Sequence, residues 1–296
     1  MYAILESRAK HIAISDFDQN VEANLRGRNE EIRRLVNLLE QMESEGEREQ
    51  TIRRESLAVA SATLLVLYAH WEGFSKFLAE EYIRTIGILG LEIRFVKRSL
   101  LSFHFDHRLK SLRDGDLKIK KSDFAELVEE LRGGGGFLRL EGDLMPPKVS
   151  TGSNLWTRKL RDLVIDCGIE VDILDSEFRR RKQDLFRLSH SSADSREELA
   201  CFPENAEGRI LQLPESVNHR EPKIESPIDW LVGARNRLGH GDVRMREPNY
   251  GLDSVVVSAV RGIVDAWTSE LTTIFQRALT SGDFLEESHR ANWLAL

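Results

Sequence analysis

Pro227-Ile-Asp-Trp-Leu-Val-Gly-Ala-Arg-Asn-Arg-Leu-Gly-His-Gly241 reads as one amphipathic helix closed by glycine, with an arginine on its apolar stripe. At about 100° per residue and with Ile228 at zero, Leu231, Val232 and Leu238 fall at about −60°, +40° and −80°. Arg235 falls at about −20°, in the middle of that face. Gly239 lies on the same side, where a missing side chain lets another group approach the backbone. Asn236 and His240, one helical turn apart, flank the stripe. An unpaired buried guanidinium is costly, so this position predicts a carboxylate partner, a subunit interface or a phosphate-bearing ligand.

Outward from this helix the chain reads as helical almost throughout. Its 296 residues allow one large or two modest domains, and 41% hydrophobic with 31% charged residues suits a soluble, helix-rich protein. A net charge of −7 and a pI near 5.7 argue against nonspecific coating of nucleic acid, while allowing a local basic cleft. Cys167 and Cys201 are far apart and form no CxxC pattern, which suggests neither a disulfide framework nor a zinc site and fits a reduced cytoplasm. No secretory signal is expected at Met1-Tyr-Ala-Ile-Leu-Glu-Ser-Arg. The most apolar run, Leu57 to Ala69, is too short to span a bilayer and is assigned to a buried helix, so no membrane partner is expected.

A first helix is expected from about Asp16 to Ser44, with Leu25, Ile32, Leu35, Leu38, Leu39 and Met42 on its stripe and a polar break over Glu43–Glu49. A longer one follows from about Ile52 to Ile86, its main stripe being Leu64, Leu67, Trp71, Phe74 and Leu78. Beside that stripe, Tyr68, Glu72 and Lys76 recur every fourth residue. Glu72 and Lys76 are either a surface ion pair or, in the sharper reading, a support in which Glu72 orients Arg235. Leu91 to Ser102 reads as helical, and a short helix is expected to end near Arg132. The Gly133–Gly136 run lacks the Gly-Lys-Ser/Thr continuation of a phosphate loop and is taken as a flexible tip.

Ser150–Asn154 reads as a cluster of helix-start residues. It leads into a helix marked by Trp156, Leu160, Leu163, Val164 and Cys167 and stopped by Gly168. A further helix over Asp175–Leu188 carries Arg179-Arg180-Arg181-Lys182, either a solvated face or a phosphate contact. Ser189 to Ser226 has little period and is taken as an inserted loop. A last long helix is expected from about Asp253 to Leu279, with Val256, Val260, Ile263, Val264, Trp267, Leu271 and Ile274 inward and a weakly ordered tail beyond Gly282. The fold class expected is all-α, an antiparallel helical bundle with irregular insertions.

No metal or cofactor constellation is found, and no cofactor is expected. Arg235, Asn236 and His240 then suit work on a phosphoryl oxygen. The guanidinium binds phosphate, the amide donates a hydrogen bond, and the imidazole, favoured in its protonated form by the helix C-terminus, exchanges a proton near neutral pH. Those groups suffice for RNA cleavage in which a ribose 2′-OH attacks its own phosphate. Arg235 and His240 differ by about 140° around the helix. Two copies on a two-fold axis would bring both groups to one cleft and cover the apolar face. Against this stands a structural reading, with Arg235 paired to Glu72 in the core and His240 capping its own helix.

Arg235-Asn236-Arg237-Leu238-Gly239-His240 resembles the Arg-Asn-x-x-x-His signature of the HEPN superfamily. Tyr68-Ala-His-Trp-Glu-Gly-Phe-Ser-Lys76, Thr151-Gly-Ser-Asn-Leu155 leading to Gly168-Ile-Glu-Val-Asp172, and Leu231-Val before the arginine extend the likeness. In that order they are similar to the MAE-type bacterial branch. The resemblance implies one HEPN domain over 1–296, with a core of about 16–90, 150–190 and 226–281. Insertions fall at about 91–149 and 189–225, and a C-terminal tail at 282–296. It further implies a homodimeric, metal-independent endoribonuclease of the toxin or antiviral-defence kind, acting on RNA and controlled by an antitoxin or defence-system partner protein. Carried over, Arg235, Asn236 and His240 match the catalytic set. Tyr68, Glu72 and Lys76 are candidate supports, and Arg237, Arg179, Arg180 and Arg181 candidate RNA contacts. Some HEPN toxins carry a tyrosine two residues after the histidine, the site of nucleotide addition; here Asp242 stands there. Other members are noncatalytic HEPN dimers that bind a nucleotide or protein partner, and that alternative stays open.

Overall fold

A computed structural model describes residues 2–46, 50–101, 154–169, 227–240 and 252–295. The expected short helix before Arg132, the four-glycine run, the 179–181 arginines, the loop 189–225 and Asp242 lie outside the described residues. The described elements are helices α1 (Tyr2–Gly46), α2 (Gln50–Ile88), α3 (Thr157–Asp166), α4 (Pro227–Gly239), α5 (Ser254–Ser281) and α6 (Glu287–Leu294), with one 3-10 turn at Ile93–Phe95. An isolated antiparallel bridge joins Val96 and Leu285. The protein is all-α.

The centre is α2, against which α1, α3, α4 and α5 all pack. Its heptad-like stripe is why: Leu64, Leu67, Trp71, Phe74 and Leu78 are all fully buried. Over Arg54–Ile88 this helix is long and apolar enough to cross a membrane by length and composition, but more than half of its most apolar window is buried by the rest of the protein.

Cross-links fix the direction of the long helices. Asn20 Nδ2 donates to Glu81 Oε1 at 2.7 Å, while His70 Nε2 meets Glu31 Oε2 at 2.9 Å, so α1 and α2 run antiparallel. Asp18 accepts from Gln276 and Glu43 from Ser254, so α1 and α5 are antiparallel as well. Consequently α2 and α5 run parallel, side by side, joined by edge-to-face contacts of Trp71 with Trp267 and of Tyr82 with Phe275. The start of α5 is doubly capped. Asp253 accepts from Val256 N, and Glu43 accepts from the backbone and hydroxyl of Ser254, which places two carboxylates at the positive end of the helix dipole.

Four details depart from the sequence reading. Helix α1 begins well before Asp16, and its buried stripe runs through Phe17, Val21, Ile32, Val36 and Leu39, with Leu38 turned outward at 45% exposure. Leu91–Ser102 is not one helix, because the bridge of Val96 to Leu285 interrupts it after the 3-10 turn. Helix α3 starts at Thr157, with Trp156 rather than Asn154 at its N-cap and no side-chain hydrogen bond from that cap. The tail beyond Gly282 is docked rather than loose. Trp293 of α6 is 6% exposed, packs edge-to-face on Phe284 and donates from Nε1 to Leu279 O at 3.0 Å. Lys10 of α1 reaches over that indole and donates to Trp293 O at 2.7 Å.

Candidate active site

Helix α4 lies against α2 and α5 of its own chain. Ile228, Leu231, Val232, Ala234 and Leu238 are buried, as the spacing predicts. Arg235 is half-buried beside them, and its surroundings are aromatic and amide rather than carboxylate. The guanidinium carbon sits 5.3 Å from the centroid of the Tyr68 ring, and Nη1 donates to Asn236 Oδ1 at 3.0 Å. A cation over a tyrosine face in a partly desolvated place gains about 1–2 kcal/mol. Tyr68, on α2, is nearly fully buried.

Asn154 completes the group. From the segment before α3, its Nδ2 donates to Asn236 Oδ1 at 2.8 Å, while its own oxygen faces the Tyr68 hydroxyl at 3.4 Å. The next residue, Leu155, donates its backbone N–H to the Tyr68 oxygen at 3.1 Å. Desolvation first, and then the hydrogen bond to Glu72, hold the Tyr68 phenol well above its ordinary pKa. Tyr68 is therefore a neutral donor. Glu72 in turn pairs with Lys76 at 2.5 Å along α2, both half-buried. Glu72 thus has Lys76 as its i,i+4 partner and reaches the site through the Tyr68 hydroxyl, with no ion pair to Arg235 among the described residues.

The structure brings Tyr68, Arg235 and Asn236 together and adds Asn154. His240 is exposed, one residue past the helix, with its N–H donated to Asn236 O at 2.9 Å, and its imidazole stands outside the hydrogen-bonded group. Arg237 is half-buried on the same helix. A Cβ at Gly239 would meet no atom of the described residues within 4 Å. Sequence reasoning treated Asn154 as a helix-start residue. No periodicity links positions 82 apart; only its place in the family-like stretch Thr151–Leu155 marked it. Among the described residues no cluster of three or more His, Cys, Asp or Glu could hold a metal ion.

Hydrogen-bond directions give this group a polarity. Guanidinium nitrogens only donate, so the Asn236 atom facing Arg235 is the oxygen, which takes a second donor from Asn154. The Asn236 amide nitrogen and the remaining guanidinium N–H groups are then donors suited to an anionic oxygen.

An all-α bundle with Arg235-Asn236 near the end of α4 and His240 just past it agrees with the HEPN resemblance of the sequence. A profile of the HEPN_MAE_28990-like HEPN family matches residues 17–200, more than half of the chain, and the chain belongs to that family. The match includes Tyr68, Glu72 and Asn154 and ends before α4. Family membership points to a nuclease or other RNA-related module. No curated protein and no solved structure matches the chain.

Proposed function

We propose that the protein is a metal-independent endoribonuclease, with Arg235, Asn236 and His240 as its catalytic set. The observation that supports this reading is the polarity of the Asn236 amide. Its oxygen is held by Arg235 and Asn154, and its nitrogen remains to donate to a phosphate oxygen beside the guanidinium. In the reaction His240 takes the proton of a ribose 2′-OH, and that oxygen attacks the adjacent phosphorus. The bond from phosphorus to the 5′-oxygen breaks, the leaving oxygen takes a proton from water, and a 2′,3′-cyclic phosphate and a 5′-OH remain. Arg235 and Asn236 offset the charge developing on the phosphoryl oxygens. DNA lacks the nucleophile. Two copies acting together place the groups of both α4 ends in one cleft, and the biological role is that of a toxin or antiviral-defence effector held by a partner protein.

Labelled RNA incubated with the purified protein in EDTA tests the proposal. The expected products carry cyclic phosphate ends. Arg235→Ala and His240→Ala should each lower the cleavage rate by about 100-fold or more, with helical content retained. They should also abolish any growth arrest on expression in cells. Cleavage undiminished in both variants sinks the assignment. RNA left intact by the folded protein, together with harmless expression, favours the noncatalytic HEPN module that binds a nucleotide or protein partner.

A further inference from the structure

We propose that Tyr68 and Asn154 are positioning residues for Arg235, forming with Asn236 a closed ring of contacts that fixes the direction of the guanidinium. For its catalytic consequence this rests on the nuclease reading; for its structural consequence it does not.

The ring draws on three separate elements. Tyr68 comes from α2, Asn154 from the segment leading into α3, and Arg235 with Asn236 from α4. Tyr68 acts on Arg235 in two ways. Its face carries the guanidinium directly, with the guanidinium carbon 5.3 Å from the ring centroid. Its hydroxyl acts at a distance, donating toward Asn154 Oδ1 at 3.4 Å, while Asn154 Nδ2 holds Asn236 Oδ1 at 2.8 Å. The Asn236 oxygen returns to Arg235 Nη1 at 3.0 Å and closes the circuit. Because Arg235 only donates, both amides are oriented: reversing Asn236 sets donor against donor at Arg235, and reversing Asn154 sets its oxygen against the Asn236 oxygen. The N–H of Leu155 anchors the Tyr68 oxygen from the backbone at 3.1 Å, so the hydroxyl cannot swing freely.

A free arginine side chain samples many rotamers, and holding it in one has an entropic cost that a preorganised site meets during folding rather than during catalysis. The Tyr68 hydroxyl has one proton and two acceptors in reach, Asn154 and the Glu72 carboxylate. Tyr68 is thereby the joint between the Glu72–Lys76 pair of α2 and the amides beside Arg235. A purely packing role for Tyr68 would be kept by phenylalanine, which retains the ring and the burial. The positioning role requires the hydroxyl as well.

The test uses the full chain and the variants Tyr68→Phe, Asn154→Ala and Asn154→Asp. Nitrogen-15 NMR of the Arg235 guanidinium, assigned by loss of its signal in Arg235→Lys, reads its mobility without RNA. Steady-state RNA cleavage reads kcat and KM separately. In wild type, guanidinium rotation should be slow, and in Tyr68→Phe and Asn154→Ala it should speed up. Their kcat should fall about tenfold to 100-fold with KM held within a factor of about two. Asn154→Asp, which sets acceptor against acceptor at Asn236, should lose more kcat than Asn154→Ala. Folded variants with an unchanged Arg235 signal overturn the proposal, as does a loosened Arg235 with wild-type kcat in a protein that cleaves RNA. A loosened Arg235 in a protein whose wild type leaves RNA intact supports the positioning ring and overturns the nuclease reading instead.

Discussion

His70 sits in the seam between α1 and α2, 8% exposed, with Nε2 2.9 Å from Glu31 on α1. Arg28 of the same helix lies alongside and donates to the His70 carbonyl at 3.4 Å. Burial pushes the imidazole pKa below its ordinary value, more than the Glu31 hydrogen bond and charge push it up, and the Arg28 charge lowers it further. The unfolded chain then binds a proton on His70 at a higher pH than the folded one. Stability rises with pH wherever the unfolded state holds more protons, so this group withdraws stability as pH falls through about 6.5, its unfolded value. Chemical denaturation at pH 7.5 and 5.5 should show lower stability at the acid end, and His70→Gln should reduce that difference. A pH dependence identical in wild type and variant would refute the account. At the same scale, Arg235 was only partly legible from sequence. The helical wheel places its Cα on the apolar face, but a long side chain can carry its charged end out of that face. Nothing in the spacing of α4 shows that Tyr68 is 5.3 Å away to receive it.

Helix α5 has one glycine inside it and another at its C-cap, with opposite consequences for stability. Gly282 ends the helix with φ +72°, and a Cβ there would fall 2.5 Å from Trp293 Cδ1. Gly262 is an exposed interior position whose added Cβ would meet no described atom within 4 Å. Gly282→Ala combines left-handed strain of about 1–2 kcal/mol with a collision against the indole that docks α6. Gly262→Ala gains about 0.5–1 kcal/mol from helix propensity. Thermal melts should therefore separate the two in opposite directions, and a Gly282→Ala protein as stable as wild type would remove the docking argument. An end to the helix near Leu279 was readable from the sequence, close to the observed end at Ser281. The docking of Glu287–Leu294 was not, because Trp293 is a lone aromatic among polar residues and packs against Phe284, Leu279 and the distant Lys10. Periodicity reports which face of a helix is apolar. It says nothing of a single anchor whose partners lie elsewhere in the chain. The stripes of α2 and α5 succeed for the converse reason: each repeats over many turns, so one misplaced residue changes little.

For the whole molecule, two features of the sequence point to a two-fold assembly, the apolar face of α4 and the angle between Arg235 and His240. Covering the apolar face of α4 no longer requires a second copy, since α2 and α5 of the same chain bury Ile228, Leu231, Val232 and Leu238. The wheel identified that face correctly and could not tell an internal cover from an external one. The angular part remains. Arg235 turns inward to Tyr68, whereas His240 is exposed past the helix end, so one chain presents the two groups to different surroundings. If the cleavage site joins Arg235 of one copy to His240 of the other, Arg235→Ala and His240→Ala damage opposite halves of it. In a mixed dimer one site then carries both changes and the other carries neither. Random pairing of equal amounts makes about half of the dimers mixed, each with one of two sites intact, so about a quarter of wild-type cleavage should return. The two inactive proteins, unfolded and refolded together, should recover that activity, while each refolded alone should stay inactive. If the mixture stays as inactive as its parents, although size measurements show that dimers have re-formed, then Arg235 and His240 act within one chain and the shared-cleft arrangement fails.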